Sequence, residues 1–282
     1  MTNDVAKCIS ANDIRHGDSV VLGSTVSPLN NNKITKSSTS ALISDIEGRW
    51  DSRFDDPTYY GETGLLIDIV ASYRLDEISG IRKDSSGNSR DLTDNNTVGS
   101  VIGKVDRAAD FTASNSEYFS LPNASLGGLS PGSADFTISA WFNFKSMSQQ
   151  FLAGVWKTSG AAHREWLLQL DSSQQIHFFT SANGSSESSV NTGALSADTW
   201  YHILVTHDNT GNSRHIYLNG TSVANDSDVT VYQGGGDFQI GNTQNSTDFI
   251  NGYVDEFNFW TRVLTASEIA TLYNNGNGKH VR

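Results

Sequence analysis

The stretch that most narrows what this chain can fold into is 250–276, where a strand, a turn and a helix follow one another directly. Tyr253 to Trp260 is aromatic, β-branched or acidic, a composition that suits a pleated strand. Strict alternation would put Tyr253, Asp255, Phe257 and Phe259 on one face, with Val254, Glu256, Asn258 and Trp260 on the other. Thr265 followed three residues later by Glu268 makes a capping box, and Ile269, Leu272 and Tyr273 then share one helical face. Gly276 can take the left-handed conformation that ends a helix. A strand with two usable faces therefore feeds one small helix that must pack on a sheet.

The residues of this stretch also resemble a known pattern. Gly252-Tyr253-Val254-Asp255-Glu256-Phe257, then Thr261-Arg262-Val263-Leu264-Thr265-Ala266-Ser267-Glu268-Ile269, is similar to the closing segment of laminin-G-like, concanavalin A-like jelly-roll domains. Three further segments match that family in order. Val70-Ala71-Ser72-Tyr73-Arg74-Leu75-Asp76-Glu77 with Asp84-Ser85-Ser86-Gly87-Asn88 resembles its opening strand and loop. Ala109-Asp110-Phe111 through Pro122, then Phe136-Thr137-Ile138-Ser139-Ala140-Trp141-Phe142, resembles its middle strands. Trp200 to His207 with Ile216-Tyr217-Leu218-Asn219-Gly220 resembles its central hairpin. The resemblance implies an all-β, antiparallel two-sheet jelly-roll sandwich with one short C-terminal helix over 65–282, behind an N-terminal extended arm, 1–64. It implies little about activity, because this fold hosts lectins, enzymes and adhesion modules alike.

The order of the chain agrees with that architecture. Residues 1–48 are polar and irregular, with 20–22 as one candidate strand; 50–60 gathers Trp50, Phe54, Tyr59 and Tyr60, rings that either cover an edge of the domain or anchor another chain. Strands are expected at 66–75, at 108–111 paired with 118–121, and at 136–144, where Phe136, Ile138, Ala140, Phe142 and Phe144 point one way. A long polar loop fills 80–99. A meander of 151–157, 165–170 and 175–181, a hairpin of 200–207 and 214–219, and a short strand at 238–241 complete the set. Trp141 and Trp200 are read as core.

Composition limits the partners. The formal net charge of −12 argues against nucleic-acid phosphates and anionic membranes, and is compatible with divalent cations. One cysteine, Cys8, permits no internal disulfide and fits a reducing compartment. Residues 1–7 lack the apolar run of a signal peptide, so synthesis in the cytoplasm is expected. No stretch approaches the ~18 apolar residues of a membrane span. Sequons at Asn123, Asn183, Asn219 and Asn245 are read as products of an Asn/Ser/Thr-rich composition.

Catalysis finds little support. Hydrolysis of a glycosidic bond needs two facing carboxyls, and the glucanase relatives of the family carry Glu-x-Asp-x-(x)-Glu on one strand, which this sequence lacks. The acidic pairs Asp76-Glu77 and Asp255-Glu256 are adjacent, so alternation would turn them to opposite faces. No Gly-x-Ser-x-Gly elbow is present and the histidines lack zinc spacing. Asp84 to Asn88 offers hard oxygen ligands around a glycine turn, and the resemblance implies a structural calcium held by Asp84, Asn88 and either Asp255 or Glu256, with Asp110 as a further ligand; an Asx-turn at Asp84 is the alternative. For a sugar, Trp156 and Trp166 around one turn, and Asn242 and Asn245 in a second polar loop, are the candidate contacts.

The expected function is a non-catalytic recognition or adhesion module. Its leading ligand class, from the resemblance to lectin-type modules, is a glycan or cell-surface ligand. The arm would attach it to a larger assembly, such as a virion surface built in a bacterial cytosol, with a homo-oligomer contact as a further option. A purely structural assembly protein and a polysaccharide-degrading hydrolase are the alternatives.

Overall fold

The computed structural model describes residues 64–158, 163–227, 230–244 and 246–281, and the backbone of two strands, β1 (Ser19–Leu22) and β2 (Thr25–Pro28). The chain divides into two units, Met1–Tyr60 and Gly61–Arg282. In the first, β1 and β2 pair antiparallel, so 20–22 is part of a hairpin; the aromatic group at 50–60 lies outside the described residues.

The second unit is a sandwich of two antiparallel sheets. Its strands are β3 (Ile69–Tyr73), β4 (Thr93–Asn95), β5 (Gly99–Ile102), β6 (Arg107–Phe111), β7 (Tyr118–Leu121), β8 (Phe136–Phe144), β9 (Gln150–Val155) and β10 (Trp166–Leu170). They continue with β11 (Gln175–Ser181), β12 (Glu187–Ala194), β13 (Trp200–Asp208), β14 (Ser213–Leu218), β15 (Thr221–Asp226), β16 (Phe238–Ile240) and β17 (Gly252–Trp260). The first sheet runs β15-β14-β13-β8-β17-β6-β5, with β3 also paired to β17; the second runs β12-β11-β10-β9-β16-β7-β4. One helix, α1 (Ala266–Tyr273), follows β17. Among the described residues no helix is long and apolar enough to cross a membrane.

Alternation builds the core between the sheets. From β8, Phe136, Ile138, Ala140, Phe142 and Phe144 all face inward and are fully buried, as expected. They meet Trp166, Leu168 and Phe178 of the second sheet. Phe136 stacks on Phe259 at 5.5 Å and 9°, and stands edge-on to Phe178. Each buried ring of this kind stabilises the fold by roughly 1.5–3 kcal/mol through burial alone.

The closing strand departs from strict alternation. Opposite β8, Asp255 faces Trp141 and Asn258 faces Ser139, so Glu256 and Phe257 together oppose the single residue Ala140. This bulge has Glu256 in the left-handed region at φ 51°. Val254 therefore shares the inter-sheet core with Phe257 and Phe259, while Tyr253 and Asp255 turn outward. Trp260 also faces outward, into a second cluster with Leu204, Ile269 and Leu272 beneath α1.

Other expectations are corrected by topology. β6 and β7 are not partners: β6 pairs with β17 and β5, and β7 with β16 and β4, so the chain changes sheets between them. The crossing is tied by Glu117, whose carboxylate accepts from Thr112 N–H at 2.6 Å and from Asn115 Nδ2 at 2.9 Å. The first strand is shorter than expected, and the loop at 80–99 holds β4 and the start of β5. The edge strands β12 and β15 were not anticipated; their alternating or exposed pattern carries little apolar signal. The capping box at Thr265 and Glu268 is present, but Asn274 at φ 48°, ahead of Gly276, ends the helix. Trp141 is buried, yet on the outer face of the first sheet, where it stacks on Tyr273 of α1 at 5.9 Å. Trp200 is half-buried against Tyr253.

Candidate functional site

The two outer faces of the sandwich are built differently. On the first sheet, Leu204, Trp260 and Ile69 meet Leu264, Ile269 and Leu272. Trp260 Nε1–H donates to Leu65 O at 2.7 Å, so even its polar atom is used internally. His202 sits in the same face, 1% exposed, with Nε2 2.8 Å from Ser139 Oγ. Burial holds its pKa down to about 3, so the ring is neutral at neutral pH.

On the second sheet, alternation in β11 sends Ile176, Phe178 and Thr180 inward and His177 and Phe179 outward. The outward pair stacks at 5.2 Å and 16°, and both rings remain half-buried. His177 is held from two sides, by Asp171 Oδ2 at 3.1 Å and Ser189 Oγ at 3.2 Å. Phe179 leans on Trp156 at 6.2 Å, and Phe151, Trp156 and Leu167 form the small cluster beneath it. Arg164 lies over the Trp156 ring at 5.6 Å and pairs with Glu187 at 2.9 Å. Asn191 Nδ2–H donates to Gln175 Oε1 nearby at 2.9 Å. This is a fixed set of aromatic faces rimmed by amides and charges. Sequence alternation across 175–181 contains that signal.

The expected sugar contacts are distributed otherwise. Trp166 is fully buried in the core, with Nε1–H donating to Leu129 O at 2.9 Å, so its ring presents no surface. Trp156 is 3 % exposed and serves as the floor beneath Phe179 and Arg164. Asn242 lies in a segment that runs back along β9, joined to it where Phe151 N–H donates to Asp248 O and Gln244 N–H to Trp156 O. Asn242 is itself buried and donates to Ser246 O at 3.3 Å. Asn245 lies outside the described residues.

The expected calcium ligands fall into two networks. Asp84 Oδ1 accepts from Ser72 N–H at 3.0 Å and Ser86 N–H at 2.9 Å, and Oδ2 from Arg90 N–H at 3.0 Å. The Ser86 contact is an Asx-turn. Asn88 turns its Nδ2–H donors to the carbonyls of Ile69 and Val70, both at 3.0 Å. Asp110 pairs with Lys145. Asp255 lies elsewhere, its Oδ2 accepting from Lys104 N–H at 2.7 Å and Val105 N–H at 2.9 Å. Glu256 Oε1 is 2.5 Å from His280 Nδ1. Asp84 and the Asn88 amide nitrogen thus bind the opening strand and loop, whereas Asp255 and Glu256 lie in a separate network.

The bulge changes the second network. Instead of pointing to opposite faces, Asp255 and Glu256 both enter one acidic group with Asp76 and Asp106. Burial, with Glu256 and Asp76 beside it, pushes Asp255 up to about 8 against the pull of the two backbone N–H groups. Burial likewise raises Glu256, against its contact with His280. His280 is raised to about 9, chiefly by Glu256.

Comparisons place this geometry among known folds. A family profile described as the concanavalin A-like lectin/glucanases superfamily matches residues 113–270, more than half of the chain. A search of curated proteins found no match. Among solved structures, the binding domain of Paraclostridial Mosquitocidal Protein 1 is 19% identical with a TM-score of 0.60, over 75% of this chain and 53% of that one. The binding domain of Botulinum Neurotoxin DC, in complex with SialylT, is 15% identical with a TM-score of 0.58, over 74% and 52%. Domain 4 of an extracellular arabinanase from Geobacillus stearothermophilus, in complex with arabinotriose, is 16% identical with a TM-score of 0.53, over 75% and 98%. The chain spans about half the length of the toxin binding domains it matches. At such identities the likeness concerns the fold, which here is the same two-sheet sandwich. With its closing strand, capped helix and matched profile, the chain belongs to the concanavalin A-like lectin/glucanase superfamily.

Proposed function

We propose that the sandwich is a non-catalytic glycan-binding module whose ligand rests on the outer face of the second sheet, at His177 and Phe179. The observation that carries this is the stacked, half-buried pair itself, on the outer face of the sheet. A pyranose offers one face of C–H groups and a rim of hydroxyls. Aromatic rings suit the first, and fixed amides and charged groups suit the second. Arg164, Gln175 and Asn191 supply that rim. Similar folds with a bound SialylT or arabinotriose support the ligand class.

The closing-strand acids and those of the proposed face do not favour the hydrolase alternative. Asp255 and Glu256 are 0% and 3% exposed and so out of a substrate's reach. On the proposed face, Asp171 is spent on His177 and Glu187 on Arg164. A glycan array tests the reading: saturable binding to at least one saccharide class, without release of reducing ends, is expected. Silence across the array would sink it, and hydrolysis lost on removing one carboxylate would replace it with the enzyme.

The arm is proposed to attach this module to a larger assembly through Trp50, Phe54, Tyr59 and Tyr60, since aromatics dominate interface energetics. Deleting 1–60 should leave the sandwich folded and abolish co-purification with its native assembly. Normal incorporation of the shortened chain would move the anchor onto the sandwich.

A further inference from the structure

We propose that Asp76, Asp106 and His280 bind a divalent transition-metal ion, with zinc the best fit, where the chain leaving β3, the β5–β6 turn and the C-terminal tail converge. One ligand atom from each residue lies within 4.8 Å of the other two. His280 Nε2 is 3.0 Å from Asp106 Oδ2 and 3.9 Å from Asp76 Oδ2. Ligand atoms around a tetrahedral zinc stand about 3.3 Å apart, given bonds of about 2.0–2.1 Å. The gathering is therefore close to that size already.

The independent observation comes from the buried side of the imidazole. Glu256 is 3% exposed; its Oε1 is 2.5 Å from His280 Nδ1, while Oε2 has no hydrogen-bond partner among the described residues. Asp255, fully buried next to it, likewise leaves Oδ1 without one among those residues. A carboxylate on one imidazole nitrogen fixes the tautomer and aims the other nitrogen's lone pair outward, the usual support behind a metal-bound histidine. Here that second nitrogen stands between two carboxylates, which can only accept, so either a proton on it or a cation in its place is required. A single proton on Nε2 would serve Asp106 and leave Asp76 beyond hydrogen-bond range. A dication would serve all three ligands and offset the orphaned oxygens behind them, where Arg74 is the neighbouring guanidinium acting on Glu256.

The donor set narrows the ion. One imidazole with two carboxylates is a mixed N/O site, which zinc accepts and which is poor in oxygens for calcium. Asp106 has 73% of its side chain exposed, so water can complete the coordination. The ligands come from three chain segments far apart in sequence, so an ion would fasten the C-terminal tail to the domain. This inference does not depend on the glycan reading.

The test uses the full chain, stripped with a chelator and titrated calorimetrically with zinc, then with calcium. One zinc per chain is expected, with a rise in melting temperature and, on substituting cobalt, the visible absorption of a tetrahedral site. Asp106→Asn, at an exposed position, and His280→Gln should each weaken zinc at least tenfold and remove the thermal response. If His280→Gln does not fold, Asp106→Asn decides. No saturable binding, affinity unchanged in Asp106→Asn, or calcium bound more tightly than zinc would overturn the proposal.

Discussion

The two outer faces of this sandwich differ in what covers them. On the first sheet the cover comes from elsewhere in the chain: α1 and the tail bury Trp260, Leu204 and Trp141, and the Trp260 nitrogen donates to Leu65 O within the domain. On the second sheet, Phe179 and His177 remain only half-buried above a cluster built mainly from the sheet's own strands. The same alternating pattern thus yields a structural face and a face with rings to spare. A helix settles which is which, because it consumes the aromatic surface that a ligand would need.

The comparison can be broken most sharply at Trp260. Trp260→Ala empties a fully buried site and leaves Leu65 O without its donor, so a loss of about 3–5 kcal/mol is expected in denaturant unfolding. Phe179→Ala, on the half-open face, should cost less than half of that. Equal costs would mean that both faces are structural.

A second test uses acid. His202 is neutral when folded, with its pKa lowered to about 3, whereas in the unfolded chain it titrates near 6.5. Above about 6.5 both states are neutral and the group contributes no pH dependence. Below that, only the unfolded state takes up the proton, so stability falls by about 1.4 kcal/mol per pH unit, or about 2 kcal/mol by pH 5. His202→Gln should remove this part of the slope, read as the difference between the two proteins. Parallel curves would mean that the ring is not sealed under the helix. The smallest effect is at the helix start: Thr265→Ala should cost about 1 kcal/mol, and no change in melting would show that the cover does not depend on the cap.

Much of this fold was legible because it follows from periodicity and capping. The inward row of β8, the meander, the central hairpin and the Thr265–Glu268 cap all read directly from spacing. What failed to read was whatever depends on partners. One extra residue at Glu256 reverses the side-chain facing of half a strand, and nothing local in Asp255-Glu256-Phe257 announces it. The separation of β6 from β7 likewise depends on which sheet each strand joins. The site was less legible still. Tryptophans suit sugar platforms by composition, but Trp166 pairs its nitrogen inside the core, and the half-buried rings on the outer face belong to His177 and Phe179. The acidic group around His280 joins residues up to 204 positions apart, beyond the reach of any spacing rule.

The central claim is that the second sheet's outer face binds the glycan. It is tested most directly by titrating the strongest array saccharide into the wild type, Phe179→Ala and Tyr273→Ala, the last altering the helix that covers the opposite face. A loss of at least tenfold in affinity for Phe179→Ala, with Tyr273→Ala unchanged, is the predicted result. Undiminished binding by folded Phe179→Ala, or a loss confined to Tyr273→Ala, would contradict it.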